Sequence, residues 1–315
     1  MSGTRSTYTE APPLPAPDAC LEELLELVAR TPGLAREPEG LLELRAELPE
    51  TARFSRALRR RVEGDDGFVR IAFEGLPSAY HRLAFAAVGA LYAAPILRYG
   101  LLYEVADRGE SYLEKAIPVS MTRATTGMHT DSSAFDCVPG TVALLCERPS
   151  DTGGESRVVD ARAACDALRE ESPEHFARLQ RPFVRDVVTP GLDKGLDSLR
   201  RNRFPVVRTE PEFEFRYMRY WIEKGAGRLG RALEPEDLAA FDALDRVLDR
   251  DDFATTFRLL EGEAVFVDNR RCAHGRNAYE VDDGAPIGRR LWRMRLDERS
   301  PLAPARPTAL RALSG

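Results

Sequence analysis

Two histidines, His129 and His274, stand 274 − 129 = 145 residues apart, and the first has a carboxylate two positions on, in His129-Thr130-Asp131. In extended backbone, residues i and i+2 project to the same side, so His129 and Asp131 face one way and Thr130 the other. His274 lies in Asp268-Asn269-Arg270-Arg271-Cys272-Ala273-His274-Gly275-Arg276, just past the apolar run 263–268 that reads as a strand. A fold that uses all three side chains together must set two distant strands side by side. The chain has only four histidines, at 81, 129, 175 and 274, and two of them fall in these patterned segments.

The remaining pattern supplies the sheets. Strands are expected at 68–73, stopped by Gly75 and Pro77, and at 116–121, 141–146, 156–159, 263–268 and 290–296. Residues 180–225 also look strand-prone, with Phe213, Phe215, Tyr217, Tyr220 and Trp221. Helices are expected at 19–30, where leucines 21, 24, 25 and 27 make a stripe, and near 41–48, 52–63 and 81–92. Two more follow at 160–169, opened by an Asp cap, and at 235–250. Helices thus fill the first third and short strands the rest. That order fits an α+β fold: an antiparallel sandwich or jelly roll (double-stranded β-helix) with flanking helices. Residues 1–18, rich in Thr, Ser, Pro and Ala, read as a disordered tail, 19–300 as one domain with a helical N-terminal part, and 301–315 as a C-terminal tail.

Composition narrows the function classes. A net charge of −6 argues against a nucleic-acid surface, which shows as a basic excess. The N-terminus lacks the apolar stretch of a signal peptide, and no run approaches a membrane span of ~20 apolar residues. Five cysteines, at 20, 137, 146, 165 and 272, are odd in number and none are spaced CxxC. A zinc ribbon and a disulfide framework are therefore poorly supported, and a reducing cytoplasm is the expected setting.

Two imidazoles and a carboxylate can occupy one face of a metal octahedron and leave the opposite face open, the donor set of non-haem Fe(II) oxygenases. His81 and His175 read as structural. The run Arg56, Arg59, Arg60 and Arg61 reads as a solvated helix face. Arg216, Tyr217, Arg219, Tyr220 and Trp221 read as core and surface positions, with a polar-ligand cluster as the alternative. Two other classes stay open on the residues alone. A metal-dependent hydrolase uses a similar triad, and a non-catalytic jelly-roll binding protein would keep the fold.

Four segments, His129-Thr130-Asp131, Gly153-Gly154-Glu155-Ser156, Asp268 to Arg276, and Arg289-Arg290-Leu291-Trp292-Arg293, agree in order and separation with a known pattern. Across 129–295 the chain resembles the Fe(II)/2-oxoglutarate-dependent dioxygenases of the taurine dioxygenase and clavaminate synthase-like superfamily. The resemblance implies that His129, Asp131 and His274 ligate Fe(II), and that the Ser156 hydroxyl, where many members have Thr, meets 2-oxoglutarate. It also implies an Arg for the distal carboxylate of that co-substrate. Arg289, 289 − 274 = 15 residues past the distal His, is preferred to Arg290, and alternation lets only one of the two enter the site. Thr125, Arg271, Arg276 and Arg293 are the candidate substrate contacts. The implied reaction consumes O2, releases succinate and CO2, and hydroxylates an unactivated C–H of a free amino acid or small natural-product precursor. Desaturation and cyclisation are variants of the same oxidation, and the presence of Asp131 argues against halogenation.

Overall fold

The computed structural model describes residues 12–98, 100–107, 125–135, 138–186, 195–280 and 288–297. The strand expected at 116–121 and the C-terminal tail lie outside them. The chain enters the fold at strand β1 (Leu14–Pro15), followed by helices α1 (Asp18–Arg30), α2 (Leu41–Leu44) and α3 (Pro49–Arg61), strand β2 (Phe68–Ala72) and helix α4 (His81–Tyr92). Short strands β3 (Ala94–Pro95) and β4 (Tyr103–Ala106) precede β5 (Thr126–His129), β6 (Thr141–Arg148), β7 (Thr152–Gly153) and β8 (Ser156–Asp160). Helices α5 (Ala161–Glu171) and α6 (Pro173–Leu179) come next, then β9 (Phe183–Val184), α7 (Leu196–Arg201), β10 (Arg203–Phe204), β11 (Val207–Arg208) and β12 (Glu214–Phe215). The last third holds α8 (Arg219–Arg228), α9 (Pro235–Leu248), β13 (Ala254–Phe257), β14 (Glu263–Asp268), β15 (Cys272–Arg276), β16 (Tyr279–Glu280) and β17 (Arg290–Asp297).

Two sheets dominate. The larger runs β1-β2-β14-β6-β17-β3, with β4 also on β17, and the smaller runs β13-β8-β15-β5. All of these pairs are antiparallel except β1 with β2. Alternation along the strands sorts their side chains into three apolar layers. Val69, Ile71, Ala143, Leu145, Ala264, Phe266, Met294 and Leu296 turn outward from the larger sheet onto α1, α3 and α4. There Phe85 and Tyr92 of α4 pack on Phe266, with ring centroids 5.9 and 5.4 Å away. Cys146, Val265, Val267 and Leu291 turn the other way, against Val158, Phe257 and Cys272 of the smaller sheet. Val159 and Ala273, on the outer face of the smaller sheet, are covered by α5, α6, α8 and α9. The order is helix, sheet, sheet, helix.

The structure corrects two expectations. Leu14 and Pro15 pair in register with Ile71 and Ala72, and Ala16 is buried, so the chain joins the fold before residue 18. Leu14 is drawn in because it packs on the N-terminal core. Among the described residues of 180–225 the strands are two residues long, and 219–228 is a helix. Arg219 and Glu223 form an i,i+4 pair at 2.7 Å while Ile222 reaches the core, a helical spacing that the aromatic content of the segment masked. Four buried cysteines, 20, 146, 165 and 272, are free, and burial pushes Cys20 up to about 11 and Cys146 to about 12, so neither thiol is reactive. Among the described residues no helix is long and apolar enough to cross a membrane.

Asp160 joins the layers. Its Oδ1 caps α5 by accepting from the N–H groups of Arg162 (3.0 Å) and Ala163 (3.2 Å), and its Oδ2 accepts from Arg271 Nη2 at 2.5 Å. Arg271 donates in turn to Gly64 O at 2.6 Å. Burial alone would raise the Asp160 carboxyl, but Arg271 and the two cap bonds outweigh it and hold it below the usual range. A depressed carboxyl contributes stability above its unfolded pKa and loses it as pH falls through the folded value. Asp160→Asn keeps the cap but removes the charge. It should cost about 1 kcal/mol at pH 7 in urea unfolding, with the gap to wild type closing as pH falls below about 4.

Candidate metal centre

Strands β5 and β15 lie side by side, and His129 is the direct register partner of His274. Their rings are 4.5 Å apart between centroids. His274 shares its strand face with Cys272, which points between the sheets, while Ala273 faces the helices. Both imidazoles therefore enter the space between the sheets. His129 Nδ1 lies 2.9 Å from Gly127 O. That carbonyl can only accept, so Nδ1 carries the proton and Nε2 keeps a lone pair. Burial, reinforced by neighbouring His274, pulls His129 down to about 4, so the ring is neutral near pH 7.

Asp131 sits in the turn after β5, where Ser132 takes a left-handed φ of 59°. Its backbone is clamped by fully buried Asn269: Asp131 N–H donates to Asn269 Oδ1 at 2.8 Å, and Asn269 Nδ2 donates to Asp131 O at 3.1 Å and Pro139 O at 3.2 Å. Thr130 turns away, as alternation requires. Its N–H donates to Tyr217 O at 2.9 Å and its Oγ1 accepts from Tyr217 N–H at 3.0 Å.

Arg293 Nη1 reaches both oxygens of Asp131 and donates to Oδ1 at 3.1 Å. Oδ1 lies 3.9 Å from His129 Nε2 and 3.8 Å from His274 Nε2. Oδ2 lies 2.8 Å from Arg293 Nη1 and 3.4 Å from Arg295 Nε. Tyr103 lies beside both guanidiniums, its ring centroid 5.0 Å from Arg293 Cζ and 5.6 Å from Arg295 Cζ. Burial would raise the carboxyl, but Arg293, then His274 and Arg295, overcome it and hold Asp131 well below the usual carboxylate range. One ligand atom from each of His129, Asp131 and His274 falls within 4.8 Å of the others. A neutral imidazole, as at His129, and an ionised carboxylate, as at Asp131, are the forms in which these side chains bind a metal.

The candidate co-substrate residues separate cleanly. Along β17, Leu291 points between the sheets and Trp292 packs on the helical side. Arg290 follows Trp292, lying 3.0 Å from Glu104 Oε1, and its neighbour Glu147 accepts from Trp292 Nε1 at 2.9 Å. Arg290 is thus excluded from the space between the sheets, a correction to its candidacy. Arg289 is 5% exposed, lies over the Tyr279 ring at 5.2 Å, and has no hydrogen-bond or ion-pair partner among the described residues. A buried guanidinium without a counter-charge is costly unless an anion completes it. Ser156 opens β8 in register with Arg276 and with Phe257. The Gly153-Gly154 turn before it has φ of +68° and +75°, and a Cβ on Gly154 would stand 3.3 Å from Arg289 Nε.

The proposed substrate contacts fare unevenly. Arg293 and Arg276 face the site, the latter buried over Tyr279 at 4.7 Å. Arg271 does not, because its guanidinium is committed to Asp160, Gly64 and Asp65. Thr125 Oγ1 accepts from Ala278 N–H at 3.2 Å and so fastens the chain after β15. The Arg216–Trp221 cluster is structural: Tyr217 OH donates to Asp245 at 2.7 Å, Arg219 bonds Glu223, Asp242 and Asp245, and Arg216 bonds Glu214. His81, bonded to Leu76 O, and His175, beside Glu174, stand apart from the centre. Sequence reasoning missed Arg295, Tyr103, Tyr279 and the clamp made by Asn269. Arg295 alone left a signal, its two-residue spacing from Arg293.

Asn269→Ala should destabilise the protein by about 2 kcal/mol or more in urea unfolding, since it strands buried backbone groups. The same variant should bind Co(II) roughly 10- to 100-fold more weakly in a spectroscopic titration.

Residues 39–295 match the family described as taurine catabolism dioxygenase TauD, TfdA family. Human gamma-butyrobetaine dioxygenase is 26% identical over 199 residues, 61% of this chain and 48% of that protein. A uridine-5'-phosphate dioxygenase from Streptomyces sp is 30% identical over 179 residues, 54% of this chain and 61% of that one. The chain spans about half the length of the gamma-butyrobetaine dioxygenases it matches. Among solved structures, asparagine oxygenase in complex with Fe(II), 2S,3S-3-hydroxyasparagine and succinate superposes with a TM-score of 0.67 at 18% identity, covering 90% of this chain and 93% of that one. The non-heme iron oxygenase OrfP in complex with Fe and alpha-ketoglutaric acid gives 0.62 at 18% identity, covering 91% and 94%. At such identities the likeness bears on the fold.

Proposed function

Because the chain belongs to the TauD, TfdA dioxygenase family, we propose that it is an Fe(II)- and 2-oxoglutarate-dependent oxygenase that hydroxylates a free amino acid or a similarly small polar metabolite. The observation that carries this reading is the cluster of His129, Asp131 and His274, whose ligand atoms lie within 4.8 Å of one another while Arg293 and Arg295 hold the carboxylate ionised. His129, Asp131 and His274 would hold the iron. When bound, iron with 2-oxoglutarate and O2 supplies an oxidant able to attack an unactivated C–H, with release of succinate and CO2. The two packed sheets are read as the walls of a jelly roll, with the centre between them.

The chain's own residues set the conditions. Neutral His129 offers its Nε2 lone pair without first losing a proton. Arg289, buried and uncompensated among the described residues, would take the distal carboxylate of 2-oxoglutarate through its planar fork. Ser156, on the strand beside Arg276, would add a hydroxyl to the same co-substrate. Arg293, beside Asp131, and buried Arg276 add positive charge near the centre, which suits a substrate carrying a carboxylate. The named relatives and structural neighbours act on or bind gamma-butyrobetaine, uridine-5'-phosphate, hydroxyasparagine and hydroxyarginine. A free amino acid is the common chemistry of the two structural neighbours. A metal-dependent hydrolase would leave Arg289 without a role.

The deciding experiment follows O2-dependent succinate formation by mass spectrometry across the free amino acids, gamma-butyrobetaine and nucleoside monophosphates. One compound should stimulate succinate release and gain a hydroxyl, and absence of Fe(II)- and O2-dependent succinate with every compound would refute the reading. Asp131→Ala should abolish hydroxylation. Arg289→Leu should raise the 2-oxoglutarate KM by about 30-fold or more, as loss of a buried charge partner does, whereas Arg290→Leu should leave it near wild type.

A further inference from the structure

We infer that Tyr279 is a positioning residue for the co-substrate anchor: its ring fixes the Arg289 guanidinium in the orientation that meets the distal carboxylate. The inference rests on the proposed function, since it assigns Arg289 that carboxylate. Tyr279 is 4% exposed, and the Cζ atoms of Arg276 and Arg289 lie 4.7 and 5.2 Å from its ring centroid. Both guanidiniums are themselves buried, at 9% and 5% exposure. Like charges this deep repel one another. A π face attracts cations without adding a counter-charge that would compete with an incoming carboxylate. A carboxylate in the position of Tyr279 would close the arginine into a salt bridge. The aromatic ring leaves its hydrogen-bonding edge available.

The backbone reinforces this placement. Tyr279 of β16 is the register partner of Gly153 of β7. The missing Cβ of Gly154 would fall 3.2 Å from Tyr279 Cβ and 3.3 Å from Arg289 Nε. Arg289 is therefore confined by an aromatic face and by a glycine backbone that leaves room for it. A long side chain fixed before the ligand arrives forfeits less entropy on binding, so affinity for the co-substrate should depend on the ring.

The test measures 2-oxoglutarate binding to Zn(II)-loaded full-length protein by calorimetry, alongside steady-state kinetics of the Fe(II) enzyme. Tyr279→Leu should weaken binding and raise the KM for 2-oxoglutarate about tenfold, with kcat at saturating co-substrate little changed. Tyr279→Phe should restore wild-type affinity, because the ring and not the hydroxyl is used. Where the leucine variant does not fold, phenylalanines of increasing fluorination at position 279 keep the shape and drain the π face, and affinity should fall stepwise along that series. Wild-type affinity in a folded leucine variant, or a flat fluorination series, overturns the role of Tyr279 alone. Wild-type protein that binds no 2-oxoglutarate overturns the proposed function and this inference with it.

Discussion

A buried carboxylate has to be paired, and in this protein the pairing of Asp131 organises everything around it. The residue hangs from the turn after β5, at the edge of the smaller sheet. Its Oδ2 is held by Arg293 and Arg295 of β17, in the larger sheet, and its backbone by Asn269, just past β14 of that sheet. Asp131 therefore ties the two sheets together at the open edge of the smaller one. Oδ1 faces the two imidazoles and also accepts from Arg293 at 3.1 Å. The ligand that can accept a metal is fixed by the contacts that hold the sheets.

Alternation along β17 then distributes the arginines. Leu291, Arg293 and Arg295 share the face toward the smaller sheet, whereas Arg290 and Trp292 share the other. One strand thereby supplies an apolar contact to the inter-sheet core, a pair of cations to the ligand carboxylate and, just before its start, the buried Arg289. The same rule on β15 sends Cys272 and His274 inward and Ala273 toward the helices. Chemistry and packing occupy opposite faces of the same few strands. A one-residue slip in register would exchange them.

The clustering of His129, Asp131 and His274 and most long strands were legible because both rest on local periodicity. His129 and Asp131 need only a two-residue repeat, and 263–268 is a plain apolar run ending where His274 must begin. The cap of α5 at Asp160 was readable for the same reason. Contacts set by the tertiary fold were not. Nothing local shows that Arg271 braces Asp160, 111 residues earlier. Nothing in the sequence near Asn269 shows that its side chain closes on a turn 138 residues earlier. The face on which Arg290 lies needed the strand's absolute phase, which the burial of Leu291 and Trp292 on opposite faces supplies.

Anomalous diffraction at the iron edge, from crystals loaded anaerobically with Fe(II) and 2-oxoglutarate, tests the role of Asp131 most directly. The expected result is a single iron bound by His129 Nε2, His274 Nε2 and one oxygen of Asp131, with Arg293 still on the other oxygen. Iron bound at other residues, or by both oxygens of Asp131 with Arg293 displaced, would contradict the account.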